Sequence, residues 1–359
     1  MKAIHQFVAG FAAGDAISNE ALLLRALFRG WGYASEIYCE RSAVSPALRG
    51  EARDAAEAPA ALGAGDAALL HLSIGSPVNE RFAALACRKA ILYHNITPAR
   101  YFRGFQEAVA RDLALGREQA RALAGAAEVV LADSRYNADD LRALGHESVR
   151  VLPLVWSPAA VSVRPDRAVL RRFRDGRATI LFVGRCAPNK RLEDALSAFY
   201  YYVKTVDARA RFIHVGSAAG LERYQALLQV TARNLGVAEA VEFAGSVSQP
   251  ELAAYYRGAD LFLCLSDHEG FCIPLLESMA RDLPVLALAR GAVPETLNGA
   301  GVLAHELRWD YLAEMMGQLV RPGPFRDAVL AGQRRRLAEY LARDLGSELK
   351  ACLAPLLAE

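Results

Sequence analysis

A chain of 359 residues, 53% apolar and 23% charged, carries enough apolar material for two domains of ordinary size and too much for a disordered chain. Its charge is nearly balanced at +2, so nothing global marks a nucleic-acid binder, and the basic runs at 167–177 and 334–336 read as solvated helix faces. Cysteines at 39, 87, 186, 264, 272 and 352 form no Cys-x-x-Cys pair, as expected of reduced, mostly buried thiols. With no signal-peptide layout and no apolar stretch of bilayer length, the chain is expected to be cytoplasmic, either soluble or at most peripheral on the inner membrane face.

Short apolar runs recur along the chain, separated by amphipathic segments of helix length. In the first half they fall at 3–8, 36–39, 68–74, 89–94, 129–132 and 149–154. In the second they fall at 179–183, 211–215, 241–244, 261–265, 285–288 and 301–303. Most are apolar at successive positions, the pattern of strands covered on both faces. The rhythm predicts an α/β chain of two doubly wound, Rossmann-like parallel-sheet domains. Residues 1–155 form the first and 177–340 the second. The Pro-containing stretch 156–176 is the linker, and 341–359 is a terminal helix whose return to the first domain the sequence leaves open.

Doubly wound sheets bind ligands beyond the carboxyl ends of their strands, so the strand-to-helix turns carry the candidate chemistry. After the first strand, Gly10 and Gly14 make a flexible lip, and Asp15 is either a helix N-cap or an acceptor contact. After the fourth, His94 and Asn95 are polar at the end of a buried strand, as satisfied structural groups or as substrate grips. Arg185 and Lys190 flank the turn after Val183, where two cations suit a diphosphate. The turn after Leu265 reads Ser-Asp-His-Glu-Gly-Phe-Cys-Ile-Pro. Gly270 permits close backbone approach, a helix beginning near Ile273 directs free N–H groups at an anion, and Glu269 and Glu277 flank them. Carboxylates accept hydrogen bonds from vicinal hydroxyls, so this set suits sugars on both sides of a phosphate group. No Asp-x-Asp, Walker-type loop, zinc spacing, Gly-x-Ser-x-Gly or strict Gly-x-Gly-x-x-Gly occurs.

These residues resemble glycosyltransferase family 4, of the GT-B fold. The spacing Glu269-x7-Glu277 matches its signature, "FVGRCAPNKRLEDALSAF" its phosphate-gripping Arg and Lys, and "GAVPE" its Gly-Gly-x-Pro-Glu turn. The resemblance implies two domains facing across a cleft and a metal-independent, retaining transfer without a cofactor. The sugar comes from a GDP- or UDP-sugar and goes to a saccharide or lipid-linked saccharide acceptor. It assigns Glu269 to the donor sugar's hydroxyls and His94 and Gly14 to the far side of that sugar and its phosphates. The amides of Gly270, Phe271, Cys272 and Ile273 hold sugar or phosphate oxygens, and Glu277 holds the ribose. Arg185 and Lys190 neutralise the diphosphate, and Ser246 and Val247 border the base. The chain departs from the pattern with Cys272 and Ala292 in place of glycines and with Gly14-Asp15 in place of paired glycines, which puts Asp15, like Asn95, on the acceptor side. The rival readings are a nucleotide-sugar epimerase of the same fold and a catalytically silent binding subunit.

Overall fold

The computed structural model describes residues 2–58, 62–63, 65–156 and 162–357. The predicted linker lies partly outside the described residues. The chain divides into two compact units: residues 1–100, 107–156 and 344–359 form the first, and 101–106 with 157–343 the second.

The first unit is built on a parallel sheet in the order β3-β2-β1-β4-β5-β6-β7. Its strands are β1 (Ile4–Val8), β2 (Ile37–Cys39), β3 (Arg53–Asp54), β4 (Ala67–Leu72), β5 (Arg88–Tyr93), β6 (Val129–Ala132) and β7 (Val149–Val151). All of β1 and β4 is buried, as expected of strands with helices on both faces, and that burial takes in the polar His5, Gln6 and His71 along with the apolar residues. Two-residue β3 was not anticipated; it is polar, sits at the sheet edge, and is defined by its pairing of Arg53 with Tyr38 and Asp54 with Cys39. The helix Leu345–Leu357 completes this core: Leu349, Leu353 and Leu356 pack with Ile4, Leu24, Phe28 and Val129. It begins at Leu345 rather than 341, because Asp344 accepts from Ser347 N at 3.0 Å and Ser347 Oγ at 2.6 Å. The preceding helix, Pro324–Leu341, belongs to the second unit.

The second unit has a parallel sheet in the order β10-β9-β8-β11-β12-β13. Its strands are β8 (Thr179–Val183), β9 (Arg211–Val215), β10 (Val241–Gly245), β11 (Leu261–Cys264), β12 (Val285–Leu288) and β13 (Val302–Ala304). All twelve predicted runs are strands. Each basic run has arginines partnered within the unit: Arg172 pairs with Glu242, Arg334 with Asp282 at 2.6 Å, and Arg336 donates to Thr296 O at 3.0 Å. No helix among the described residues is long and apolar enough to cross a membrane.

Each sheet reverses its winding once, between β1 and β4 in the first and between β8 and β11 in the second. Helices diverge at such a switch point, leaving a crevice beyond the strand ends. The turns 184–190 and 265–272 leave β8 and β11 at that point.

Candidate active site

In the second unit the two turns at the switch point are strapped together. Asp267 N donates to Asn189 O at 2.9 Å, and Asn189 Nδ2 returns a bond to His268 O at 3.2 Å. This places Lys190 Nζ 2.7 Å from both carboxylate oxygens of Glu269. Glu269 is only 7% exposed, so neither charge is well screened by water. Burial pulls the Lys190 pKa down, but the Glu269 charge outweighs it and the net shift is upward, keeping the ammonium charged at neutral pH.

Behind Glu269 lies the turn at Gly291. Ala292 N donates to Glu269 O at 2.9 Å, and Gly291 has φ +55°. A Cβ on Gly291 would stand 2.4 Å from Glu269 O and 2.9 Å from Glu269 N. Gly291→Ala therefore combines left-handed strain with a backbone overlap. It is expected to destabilise the chain by about 2–4 kcal/mol in urea unfolding and to weaken nucleotide binding. The second departure, Ala292, is fully buried and supplies the supporting N–H itself.

Cys272 caps the helix Ile273–Met279 with φ +73°, a conformation glycine adopts without cost. Its thiol lies 4.0 Å from that of Cys264, and Phe271 O accepts from Thr296 Oγ1 at 2.5 Å. Pro274 opens the helix, whose start carries its positive dipole end. Glu277 is partly buried and accepts from Tyr256 O–H at 2.7 Å; burial raises its pKa, although Tyr256 and Arg281 oppose the shift. Arg185 is exposed, its guanidinium 5.9 Å above the Phe102 ring and 3.2 Å from Gln106 Oε1. Among the described residues no carboxylate pairs with it. Ser246 and Val247 follow β10, two strands from β8, just before the helix Gln249–Gly258, which Ser248 and Glu251 cap reciprocally.

The first unit holds the other predicted residues. Gly14 has φ +82°, and Asp15 is the N-cap of the helix Ala16–Gly30, accepting from Ser18 N at 2.9 Å and Ser18 Oγ at 2.8 Å. Asn95 is buried with its amide donating to Asn137 Oδ1 at 2.7 Å. The side chain of His94 is 2% exposed and closes a buried chain of ring nitrogens. Gln6 Nε2 donates to Ala21 O, so Gln6 Oε1 accepts from His71 Nε2–H at 2.9 Å. His71 Nδ1 is then an acceptor, and the His94 Nε2 facing it at 3.0 Å must carry a proton. His94 Nδ1 faces Asp133 Oδ2 at 3.5 Å.

Glu20 joins this cluster without any signal in the sequence. It sits one turn inside an amphipathic helix, where an acidic residue ordinarily faces water. Here its side chain is fully buried, with Oε1 accepting from Val155 N at 2.8 Å and Oε2 3.6 Å from His94 Nε2. Burial pushes its pKa up to about 7. Burial lowers that of His94, but Asp133, Glu20 and Asp15 outweigh it and the net shift is upward. Both folded pKa values exceed their unfolded ones, so the stabilisation these groups give is lost as pH rises, for Glu20 across 4.5 to about 7. In urea unfolding at stepped pH, the stability of Glu20→Gln relative to wild type is expected to rise by about 2–3 kcal/mol between pH 5 and pH 8.

Among the described residues two groups have the composition of metal ligands: Glu20, His71 and His94, and Cys264, Glu269 and Cys272. In the first the two imidazoles are hydrogen-bonded to each other, and in the second an ammonium already occupies the carboxylate.

The family model for glycosyl transferases group 1 matches residues 167–337. The chain carries a group 1 glycosyl transferase domain. It is 34% identical over 171 residues to a GDP-mannose-dependent alpha-(1-6)-phosphatidylinositol monomannoside mannosyltransferase of Mycobacterium tuberculosis, covering 44% of this chain and 43% of the relative. It is 35% identical over 189 residues to a D-inositol 3-phosphate glycosyltransferase of Thermobispora bispora, covering 49% and 43%. These matches span less than half the length of the curated relatives. Among solved structures, Anabaena HepE in complex with UDP and glucose superposes with a TM-score of 0.74 at 14% identity, over 98% of this chain and 100% of that one. WaaG, a glycosyltransferase involved in lipopolysaccharide biosynthesis, gives 0.70 at 15% identity, over 98% and 99%. At such identities the likeness speaks for fold alone, and the fold is GT-B. The glycosyl transferase domain takes in Arg185, Lys190, Ser246, Val247, Glu269 to Ile273 and Glu277. Gly14, Asp15, His94 and Asn95 lie outside the matched residues.

Proposed function

We propose that this chain moves a sugar from a nucleoside diphosphate sugar to a hydroxyl acceptor, retaining the anomeric configuration and needing no metal ion. The observation that carries the reading is the ion pair of Lys190 with Glu269 at the β8/β11 switch point, on the turn that also bears Arg185.

Breaking the bond between the anomeric carbon and the diphosphate builds positive charge on the sugar and negative charge on the leaving group. Arg185, with no carboxylate partner among the described residues, and Lys190, held charged, supply fixed positive charge for that diphosphate. The dipole end at Ile273 adds to them. One well-placed donor of this kind contributes about 3–4 kcal/mol to a transition state. Glu269, oriented by Lys190, accepts hydrogen bonds from the donor sugar's hydroxyls, and Glu277, oriented by Tyr256, serves the ribose. As the acceptor oxygen bonds the anomeric carbon on the face the diphosphate leaves, its proton passes to a phosphate oxygen, so no protein base is required. The M. tuberculosis relative is described as GDP-mannose-dependent and HepE was solved with UDP, which supports a GDP- or UDP-sugar as donor. The acceptor is a saccharide or a lipid-linked saccharide.

The test is a thermal-shift series with UDP, GDP, ADP and TDP and their sugars, each with and without EDTA. A shift of several degrees for one nucleotide, unchanged by EDTA, is expected; no shift with any of them overturns the reading.

A further inference from the structure

The second unit carries an aromatic surface that the proposed transfer does not use. The helices Leu192–Thr205 and Trp309–Val320 pack side by side, and two adjoining open cavities of about 240 and 300 Å³ lie over them. Tyr201, Arg308 and Asp310 line both; Leu307 and Trp309 line one, and Tyr311 the other. Three large rings here face water, with Trp309 39% and Tyr311 53% exposed. Exposed rings gathered in one place mark a contact surface rather than an ordinary solvated face.

We infer that this groove binds a saccharide chain. Trp309 is held by its own polar atom: Nε1 donates to Asp194 Oδ1 at 3.2 Å, and Asp194 is fixed in turn by Arg191 Nε at 2.6 Å. The exposed indole is therefore a pre-set platform, costing little ordering when a ligand arrives. A pyranose offers apolar C–H faces that stack on such rings and a rim of hydroxyls that donate and accept. Arg308 and Asp310, joined at 2.8 Å, provide planar donor and acceptor groups beside the rings, and Glu314 adds a second acceptor. Charge separates this ligand from the other one that exposed Trp and Tyr suit, an anionic bilayer. The lining sets one cation, Arg308, against two acids, Asp310 and Glu314, so an anionic surface is repelled and a neutral glycan is not. The choice of a sugar as ligand rests on the transferase reading, but binding at the groove needs no donor.

The experiment titrates maltohexaose, cellohexaose and α-1,6-mannohexaose into the full chain, following tryptophan fluorescence and ligand-observed NMR without nucleotide. One hexasaccharide is expected to bind saturably. Tyr311→Ala, at an exposed ring, and Trp309→Ala should each weaken it about tenfold or more, with Trp309→Phe retaining most of the affinity. The nucleotide thermal shift should be unaltered in all three, which separates this groove from the donor site. The proposal is overturned if no hexasaccharide binds, if binding survives both alanine variants, or if vesicles of phosphatidylcholine with phosphatidylglycerol bind through Trp309 and Tyr311 instead.

Discussion

Glu269→Ala is expected to end sugar transfer while leaving the nucleotide bound. The carboxylate is held by both oxygens on Lys190 and by its backbone on Ala292, so its position is fixed before any ligand arrives. On the proposed reading, removing it takes away the acceptor of the donor sugar's hydroxyls. It also releases a buried ammonium from its only carboxylate among the described residues, and a bound diphosphate supplies the missing negative charge. Nucleotide affinity should therefore hold, or rise, while turnover falls by at least a hundredfold, of the order seen when a preorganised active-site group is lost. Calorimetry with the nucleotide beside a transfer assay gives both numbers. Turnover within a few fold of wild type would remove Glu269 from the mechanism.

Lys190→Ala is expected to act in the opposite direction on binding. It removes one cation from the proposed diphosphate site and leaves the Glu269 carboxylate, 7% exposed, without its counter-charge. Breaking a buried pair from one side is costly because the remaining charge is uncompensated. A charge-assisted bond contributes about 1.5–3 kcal/mol, so affinity for the nucleoside diphosphate should fall roughly 10- to 100-fold. The double variant separates the two causes. With both charges gone the repulsion disappears, and nucleotide affinity should recover part of the loss seen in Lys190→Ala alone. Equal affinities in the single and double variants would mean that Glu269 does not face the diphosphate.

Much of this site was readable because parallel strands with two covered faces must be apolar along their length. The runs at 179–183 and 261–265 announced β8 and β11, and the turns that follow announced Arg185, Lys190, Glu269 and Gly270. Reading each turn separately assigned Lys190 to phosphate and Glu269 to sugar. It did not reveal that the two are bonded to each other, since they are 79 residues apart and only the adjacency of β8 and β11 joins them. Asp15 shows the opposite limit. Its two readings, cap or acceptor contact, were equivalent on paper, and the structure shows the cap through its bonds to Ser18.

Local chemistry along the chain, by itself, determined the twelve strands other than β3, the two-sheet α/β class and the turns that bear charged residues. Those features follow from apolar runs and turn chemistry within a few residues, which no distant partner alters. Tertiary structure alone decided the partners: Glu20 with His94, Lys190 with Glu269, and the terminal helix with the first sheet. Each depends on which strands lie side by side and on how much water is excluded between them. A side chain's charge state and free valences are set by that company.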